Sequence, residues 1–383
     1  MLYRLFGIHT GLGGKMTRLS KRAGIVGGGV GGLAAAIALR RAGWDVTVFE
    51  QAPEFAEVGS AIILPVNGIT ALDALGLGDR IREHLVPDRI SEVCTARGRT
   101  LLRSRLSDAT GYAGMILLSR ADLIALLADA LPAECIQSGQ RVRAVHETGV
   151  VVTDSAATTF DLVVAADGVH SVVRQQMWPE VALRHTGITV WRWIVHGPSA
   201  DFAGFVWGPG GDVGIFPMTA GRTMVYAAGR PGIDDLSYFA DWTDPVPGLI
   251  ASADQVVRNE VIDLPVPRSL VRGRVALLGD AAHAMLPSLG QGTSIALEDA
   301  VTLAACAPDL AAYTAARRSR ARHVSLLSRY GMPTPATGAR SEITVLLAGL
   351  LPDRPLVWMA GVGRRSATRW TPPRIPVPNA ESL

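Results

Sequence analysis

The stretch Ile25-Val26-Gly27-Gly28-Gly29-Val30-Gly31-Gly32 constrains this chain more than any other part of it. It follows the apolar run Ala23 to Val26 and opens an Ala-rich helical pattern from Leu33 to Ala42. In that setting G-x-G-x-x-G reads as a dinucleotide-binding turn. Gly27, Gly29 and Gly32 fill the three glycine positions. The first turns the chain, the second lets backbone approach a pyrophosphate, and the third lets helix and strand pack closely, so each role needs a missing Cβ. A second strand, Asp45 to Phe49, then runs into Glu50, where a carboxylate that accepts from ribose hydroxyls is expected.

At 383 residues the chain is too long for one small core and predicts two domains, or one domain with a large insert. No run of about twenty residues is apolar without charge or proline, so no membrane span is expected. The net charge of +3 comes from arginine, because Lys15 and Lys21 are the only lysines. The arginines are spread along the chain, which gives nucleic-acid binding no support. Cys94, Cys135 and Cys306 lie far apart without C-x-x-C spacing, and read as buried thiols of a reducing compartment with no metal site. Residues 1–20 lack a secretory h-region and are expected to be an extension, with Met16 an alternative start and a cytoplasmic location.

Downstream, the small-residue loop Val58 to Asn67 leads into a helix with Ile69, Leu72, Leu75 and Leu77 at helical spacing. Ser119 is an expected N-cap for a helix reaching Leu131, and Arg120 stands in its first turn, where a cation opposes the helix dipole and points to an anionic partner. The apolar run Asp161 to Ala166 ends in Asp167-Gly168. From about Thr186 to Asp263 the pattern becomes β hairpins, with turns at 208–211 and 220–221, which predicts an inserted antiparallel sheet. Val275 to Leu278 returns to the first sheet, Gly279-Asp280 follows, and a long helix runs from about Gly292 to Ala307. The expected division is an extension at 1–20, a discontinuous nucleotide domain at 21–185 and 264–330, a sheet domain at 186–263 with parts of 59–120, and a C-terminal helical segment and tail at 331–383. The run Arg317 to Arg322 reads as a solvated helix face pairing with carboxylates. Ile343 to Leu351 and Leu356 to Val362 read as helices covering a core or a dimer face.

Taken in order, the glycine fingerprint with Glu50, Arg120 at its helix start, the run Asp167-Gly168 through Arg174, and Gly279-Asp280 with Pro287, Gly290 and Gly292 carry a resemblance. The chain resembles the single-component FAD-dependent aromatic hydroxylases, the group of p-hydroxybenzoate and salicylate hydroxylases, from about Arg22 to Arg322. The resemblance implies an α/β fold: a Rossmann-like FAD-binding domain, an inserted antiparallel β-sheet substrate domain and C-terminal helices. It implies that Gly27, Gly29 and Gly32 hold the FAD pyrophosphate, that Glu50 holds the adenosine ribose with Gln51 also at the cofactor, and that Val142 offers backbone to adenine. Ala61 and Arg120 would support the cofactor, Asp280 would bond the ribityl chain, and Gly290, Gly292 and Thr293 would face the isoalloxazine ring. Asp167, Gly168 and Arg174 resemble a motif linked to FAD and nicotinamide contacts. The implied reaction uses NAD(P)H as a transient reductant and O2, and hydroxylates an aromatic or polyketide-like small molecule through a flavin C4a-hydroperoxide, with epoxidation and Baeyer–Villiger insertion as alternative outcomes, in a monomer or homodimer. Ala61 and Ile63 depart from the family pattern, which often has glycine and a polar residue there.

Substrate-facing candidates are Arg192, Trp193, Tyr226 and Pro287. Period two puts Trp191 and Trp193 on one face of a strand and Arg192 on the other. If Arg192 faces the cavity it binds a phenolate, carboxylate or enolate; if the tryptophans do, the pocket is aromatic. His283 is expected to make a structural hydrogen bond. Two other readings are weaker: a flavin-dependent halogenase, which would need an active-site lysine, and a flavin-binding protein without turnover.

Overall fold

A computed structural model of the chain describes residues 21–55, 61–105, 107, 114–197, 201–307, 309–331, 335–336 and 365–377. The extension at 1–20, the loop at 56–60 and the apolar pieces at 343–362 lie outside the described residues.

The fold grows from β1 (Arg22–Val26), α1 (Val30–Arg41) and β2 (Asp45–Phe49). The two strands pair in parallel, Ala23 opposite Val46 through Val26 opposite Phe49. A parallel pair needs a crossover connection, and α1 supplies it. This helix is buried without interruption from Gly32 to Leu39, so it reads as alanine and leucine throughout and shows no amphipathic stripe. On the other side of β1 lies β3 (Leu162–Ala165), and beyond it Val275–Leu277, again parallel. The six-stranded sheet runs Val271–Arg272, Val275–Leu277, β3, β1, β2, Ile136–Gln137.

Between β3 and its neighbour Val275–Leu277 the chain builds most of a second sheet. Its main strands are β4 (Arg184–His196), β5 (Gly204–Gly208), β6 (Gly211–Pro217) and β7 (Arg222–Gly229). The order is Val257–Asp263, β4, β7, β6, β5, Ile90–Thr95, Thr100–Arg105. Both expected hairpin turns form, with positive φ at Gly210, Ala220 and Gly221. One face of this sheet is a closed core, where Trp191, Trp193, Val213, Ile215 and Val225 meet Phe239, Trp242 and Leu249. Edge-to-face rings at 5.9 Å (Trp191–Phe239) and 4.9 Å (Phe239–Trp242) lock it. The other face carries Arg192, Ile194, Met224 and Tyr226. Part of it is covered by a small sheet of Ala61–Leu64, Gly114–Ser119 and Leu85–Pro87, which contributes Ile63, Val86, Met115 and Leu117.

Helix α2 (Arg120–Ala128) continues directly from Ser119, whose hydroxyl accepts from the Asp122 amide at 2.9 Å, as the capping pattern predicts. It stops short of Leu131. The helix expected over Ile69 to Leu77 is instead two, Val66–Ala74 and Gly78–Arg82, because Gly76 takes φ +77 between them. Helices α3 (Gly292–Cys306) and α4 (Leu310–Leu326) pack over α1 and the first sheet. Among the described residues no helix is long and apolar enough to cross a membrane. Cys94, Cys135 and Cys306 are unpaired, the first two buried.

Candidate functional site

The three glycines of the fingerprint do two different jobs. At Gly27, φ +102, an added Cβ would sit 2.5 Å from the Ala166 oxygen, and at Gly32 it would sit 1.9 Å from the Gly27 oxygen. Both are empty because protein backbone fills the space. At Gly29 an added Cβ meets only the Arg120 Nη2, at 3.8 Å. Gly29 faces a cleft whose walls include Gly31, Arg120 and Gly168 on one side and Asp280, Gly292 and Thr293 on the other. Helices α1 and α3 both begin at this cleft, and neither N-terminus is capped by a side chain. Their first-turn amides and the positive ends of their dipoles therefore confront whatever enters.

Glu50 closes the back of the glycine turn. Its Oε2 accepts from the Gly28 amide at 2.7 Å and its Oε1 from the Ala52 amide at 2.8 Å. A carboxylate has about four acceptor positions, so capacity for hydroxyl donors remains. Gln51 is exposed beside it. The Gly139 and Gln140 amides donate to the carbonyls of Ala52 and Glu50, which brings the start of the Val142–Val145 strand alongside, with Val142 itself buried. Arg120 is exposed at the cleft and makes no hydrogen bond or ion pair among the described residues.

Asp167 and Arg174 are struts. The Asp167 Oδ2 accepts from the Val173 amide at 3.2 Å, and burial pushes its carboxyl above the usual range. Arg174 is fully buried and donates to the carbonyls of Val169 at 2.7 Å and Ala281 at 3.4 Å. It thereby ties the Asp167-Gly168 turn to the one-turn helix Asp280–His283. Gly168, with φ +79 and open space where a Cβ would be, remains at the cleft. Asp280 is exposed there, and Gly290 is in the left-handed region with open space around it.

Beneath these turns lies a network that sequence reasoning missed. The Asp299 Oδ2 takes the Gly279 amide at 3.1 Å and the His283 Nε2 at 2.5 Å, while its Oδ1 accepts from the Arg317 Nε at 2.6 Å. Glu298 binds Arg317 and Arg320, each at 2.8 Å, and accepts from Asn67 at 2.6 Å. Asn67 in turn donates to Gln291 at 2.9 Å. Burial alone would raise the Asp299 carboxyl, but the charges of His283 and Arg317 outweigh it and hold it below the usual range. His283 thus has the structural bond expected of it. The arginine run is different from expectation: Arg317 is 1% exposed and anchored between two acids, because α4 turns this residue onto α3. The available signal was the acid pair Glu298-Asp299 in the middle of an apolar helix.

Of the residues expected to face the substrate, Trp193 does not line a cavity. It is 1% exposed in the closed core and its Nε1 donates to the Leu249 carbonyl at 3.1 Å, since Trp191, Trp193 and Val195 all point that way. Arg192, the preceding residue, is half-buried on the open face, opposite Tyr226 on β7. Tyr226 lies across Gly214, where a Cβ would be 2.3 Å from its ring, and donates to the Asp212 Oδ2 at 3.0 Å. Phe205 stands edge-on to Phe216 at 5.3 Å and to Tyr226 at 6.3 Å. Asp212, 1% exposed, was also missed, although an acid alternating with Gly214 and Phe216 in an apolar strand was a visible signal. Pro287 is exposed at the start of a short 3-10 turn, while its neighbour Leu286 packs against Val190 and Tyr226. Ala61 pairs with Ser119 at the edge of the cleft region. Lys21 sits over Trp44 beside Asp161, at the opposite end of β1 from the glycine turn, so it is remote from the cleft.

These residues fit a flavin dinucleotide. Open space at Gly29 and Gly168, two uncapped helix N-termini and a guanidinium suit a pyrophosphate and an electron-rich ring, and Glu50 has acceptor capacity for a ribose. Comparison with known proteins agrees. The FAD binding domain family model matches residues 21–243 and 265–325. The chain is 37% identical over 310 residues to 3-amino-4-hydroxybenzoate 2-monooxygenase of Streptomyces cremeus, covering 74% of this chain and 78% of that one. It is 35% identical over 340 residues to an FAD-dependent urate hydroxylase of Klebsiella pneumoniae, covering 80% and 88%. The crystal structure of Klebsiella pneumoniae HpxO complexed with FAD and uric acid superposes with a TM-score of 0.80 at 30% identity, over 90% of this chain and 97% of that one. The chain belongs to the FAD-dependent aromatic monooxygenases, and its cofactor is FAD.

Proposed function

We propose that this protein uses NAD(P)H and O2 to hydroxylate a small aromatic molecule lying between the cofactor cleft and the open face of the second sheet. The observation that carries this reading is the composition of that face. Phe205, Phe216, Met224 and Ile63 form an apolar wall, yet Arg192, Tyr226 and Asp212 stand within it. A few placed polar groups in an apolar surface are what orient a ring while keeping water away. Two relatives named for ring substrates, an aminohydroxybenzoate monooxygenase and a urate hydroxylase, support the same class.

FAD, when bound, supplies the electron transfer and the activation of O2. The protein's own residues would bind, orient and exclude water. Gly29 and the first turn of α1 would hold the pyrophosphate, with Arg120 against it. Gly292 and Thr293, at the N-terminus of α3, would face the ring and favour its reduced, negatively charged form. Ile63 and the aromatic wall would keep water from the reacting carbon. The sequence contains one glycine fingerprint, so the nicotinamide would bind transiently.

The test is nicotinamide oxidation by the FAD-loaded protein against a panel of phenols, hydroxybenzoates and hydroxyquinolines, with peroxide and product measured together. Faster oxidation with little peroxide and a product heavier by one oxygen atom is the expected result. A yellow protein that neither NADH nor NADPH reduces would sink the proposal.

A further inference from the structure

Building on the reading that the flavin ring lies at the N-terminus of α3, we infer that Asn67 is a positioning residue. Its side-chain amide fixes the ring-side turn 290–293 against the substrate-side strand Ala61–Leu64, and thereby tunes the reduction potential of the cofactor. Asn67 is 1% exposed, in the first turn of the helix Val66–Ala74. Its Nδ2 donates one hydrogen to the Gln291 Oε1 at 2.9 Å and the other to the Glu298 Oε1 at 2.6 Å. Those two residues stand nearly two turns apart along one side of α3. Both act as acceptors toward it, so a primary amide serves the two at once. The Asn67 Oδ1, in contrast, is buried with no hydrogen-bond partner among the described residues. A buried polar atom left without a partner costs stability. The fork of two donors, rather than the filling of space, accounts for an asparagine at this place.

The two ends of the fork differ in freedom. Glu298 is wholly buried and gripped by Arg317 and Arg320, each at 2.8 Å, so it is a fixed post. Gln291 has glycines on both sides: Gly290, left-handed at φ +61 with open space where a Cβ would be, and Gly292 at the cleft. Backbone of that kind keeps one shape only where something holds it, and no side chain caps α3. The Gln291 side chain, on a residue 2% exposed, supplies the hold through Asn67. On the other side, only Pro65 and Val66 separate Asn67 from the strand Ala61–Leu64, whose Ile63 belongs to the apolar wall. The helix that follows runs tight against α3, where a Cβ on Gly68 would lie 2.5 Å from the Ser294 Oγ. Asn67 therefore joins the two walls between which ring and substrate would lie. Cutting the link lets the first-turn amides of α3 drift from the ring, and a reduced, negatively charged ring loses more by that than an oxidised one.

The experiment uses neither nicotinamide nor substrate, so its outcome is separate from that of the proposed reaction. The FAD-loaded parent, Asn67→Leu, Gln291→Met and the double variant are reduced slowly by xanthine and xanthine oxidase beside a reference dye, and the midpoint potential is read from the flavin absorption. Each single variant is expected to hold FAD and to lower the potential by about 30 mV, which is a ten-fold weaker preference for reduced over oxidised cofactor in a two-electron couple. The double variant is expected to shift no further than either single one, because both cut the same link. An unchanged potential in either single variant overturns the inference, and so do shifts that add in the double variant. Loss of FAD by the single variants overturns it as well, since the link would then retain the cofactor rather than tune it. If Asn67→Leu fails to fold, Gln291→Met decides alone, a lowered potential supporting the inference and an unchanged one overturning it. A parent protein that the dye system reduces but no nicotinamide does removes the proposed reaction and leaves this inference standing.

Discussion

Arg317→Met is expected to lower the unfolding free energy of the apoprotein by about 3–5 kcal/mol and to weaken FAD binding at the same time. The first effect follows from burial. Arg317 is 1% exposed and pairs with both Glu298 and Asp299, which are wholly buried, so its removal leaves Glu298 to Arg320 and Asp299 to His283, with negative charge under-compensated in a place without water. The second follows from connectivity, because Asp299 also holds the Gly279 amide and His283, the turn that carries Asp280 at the cleft. The double variant Arg317→Met with Asp299→Leu separates the two. Replacing a buried ion pair by apolar groups of similar size recovers much of the stability. The Gly279 amide would now lack its Asp299 acceptor, so affinity for FAD should stay low. Urea unfolding and quenching of flavin fluorescence measure the two quantities, and an Arg317→Met protein within about 0.5 kcal/mol of the parent would show that the network is not structural.

The second large effect divides the glycine fingerprint. Gly29→Ala is expected to fold with a stability within about 0.5 kcal/mol of the parent, since φ −74 suits alanine and the new methyl meets only Arg120 at 3.8 Å. It is nevertheless expected to lose FAD affinity by at least about ten-fold, about 1.4 kcal/mol, because that methyl lies where the pyrophosphate would approach. Gly32→Ala is expected to do the reverse in order of cause. A Cβ 1.9 Å from the Gly27 oxygen forces the helix from the strand and costs about 2 kcal/mol or more before any cofactor is considered. Thermal unfolding of both apoproteins, followed by FAD titration, checks the pair. Equal destabilisation by the two substitutions would mean that Gly29 is also a packing glycine.

The elements that were legible in the sequence are those whose chemistry is local. The fingerprint declared itself because a tight turn, a backbone approach and a close crossing all demand glycine within a few residues. Ser119 declared itself as a cap, and the turns at Gly210 and Gly221 by their glycines. Period two was enough to state that Trp193 and Arg192 face opposite ways. It could not state which way is inward, because either face of an antiparallel strand can carry the core, and that was decided by Phe239, Trp242 and Leu249 from a later segment. Arg317 was misread for a related reason: within its own helix it belongs to a run of surface arginines, and only the arrival of Glu298 and Asp299 from α3 makes it an interior residue. Contacts between distant segments leave little trace in local pattern.

The division of β4 into a locked side and an open side also limits how this enzyme can diverge. A single inserted or deleted residue within Val190 to His196 would rotate every side chain to the other surface, presenting indoles to the cleft and driving a guanidinium into the tryptophan core. Change along that strand is therefore confined to exchanges at fixed alternate positions. Upstream the constraint relaxes, because the pairing of β4 with Val257–Asp263 already slips between His185 and Thr189, around a Gly187 with φ +70. Such a bulge absorbs changes in length without turning the strand over. Insertions should accumulate there across descendants of this fold, while the open face changes only by point replacement at Arg192 and its even-numbered neighbours.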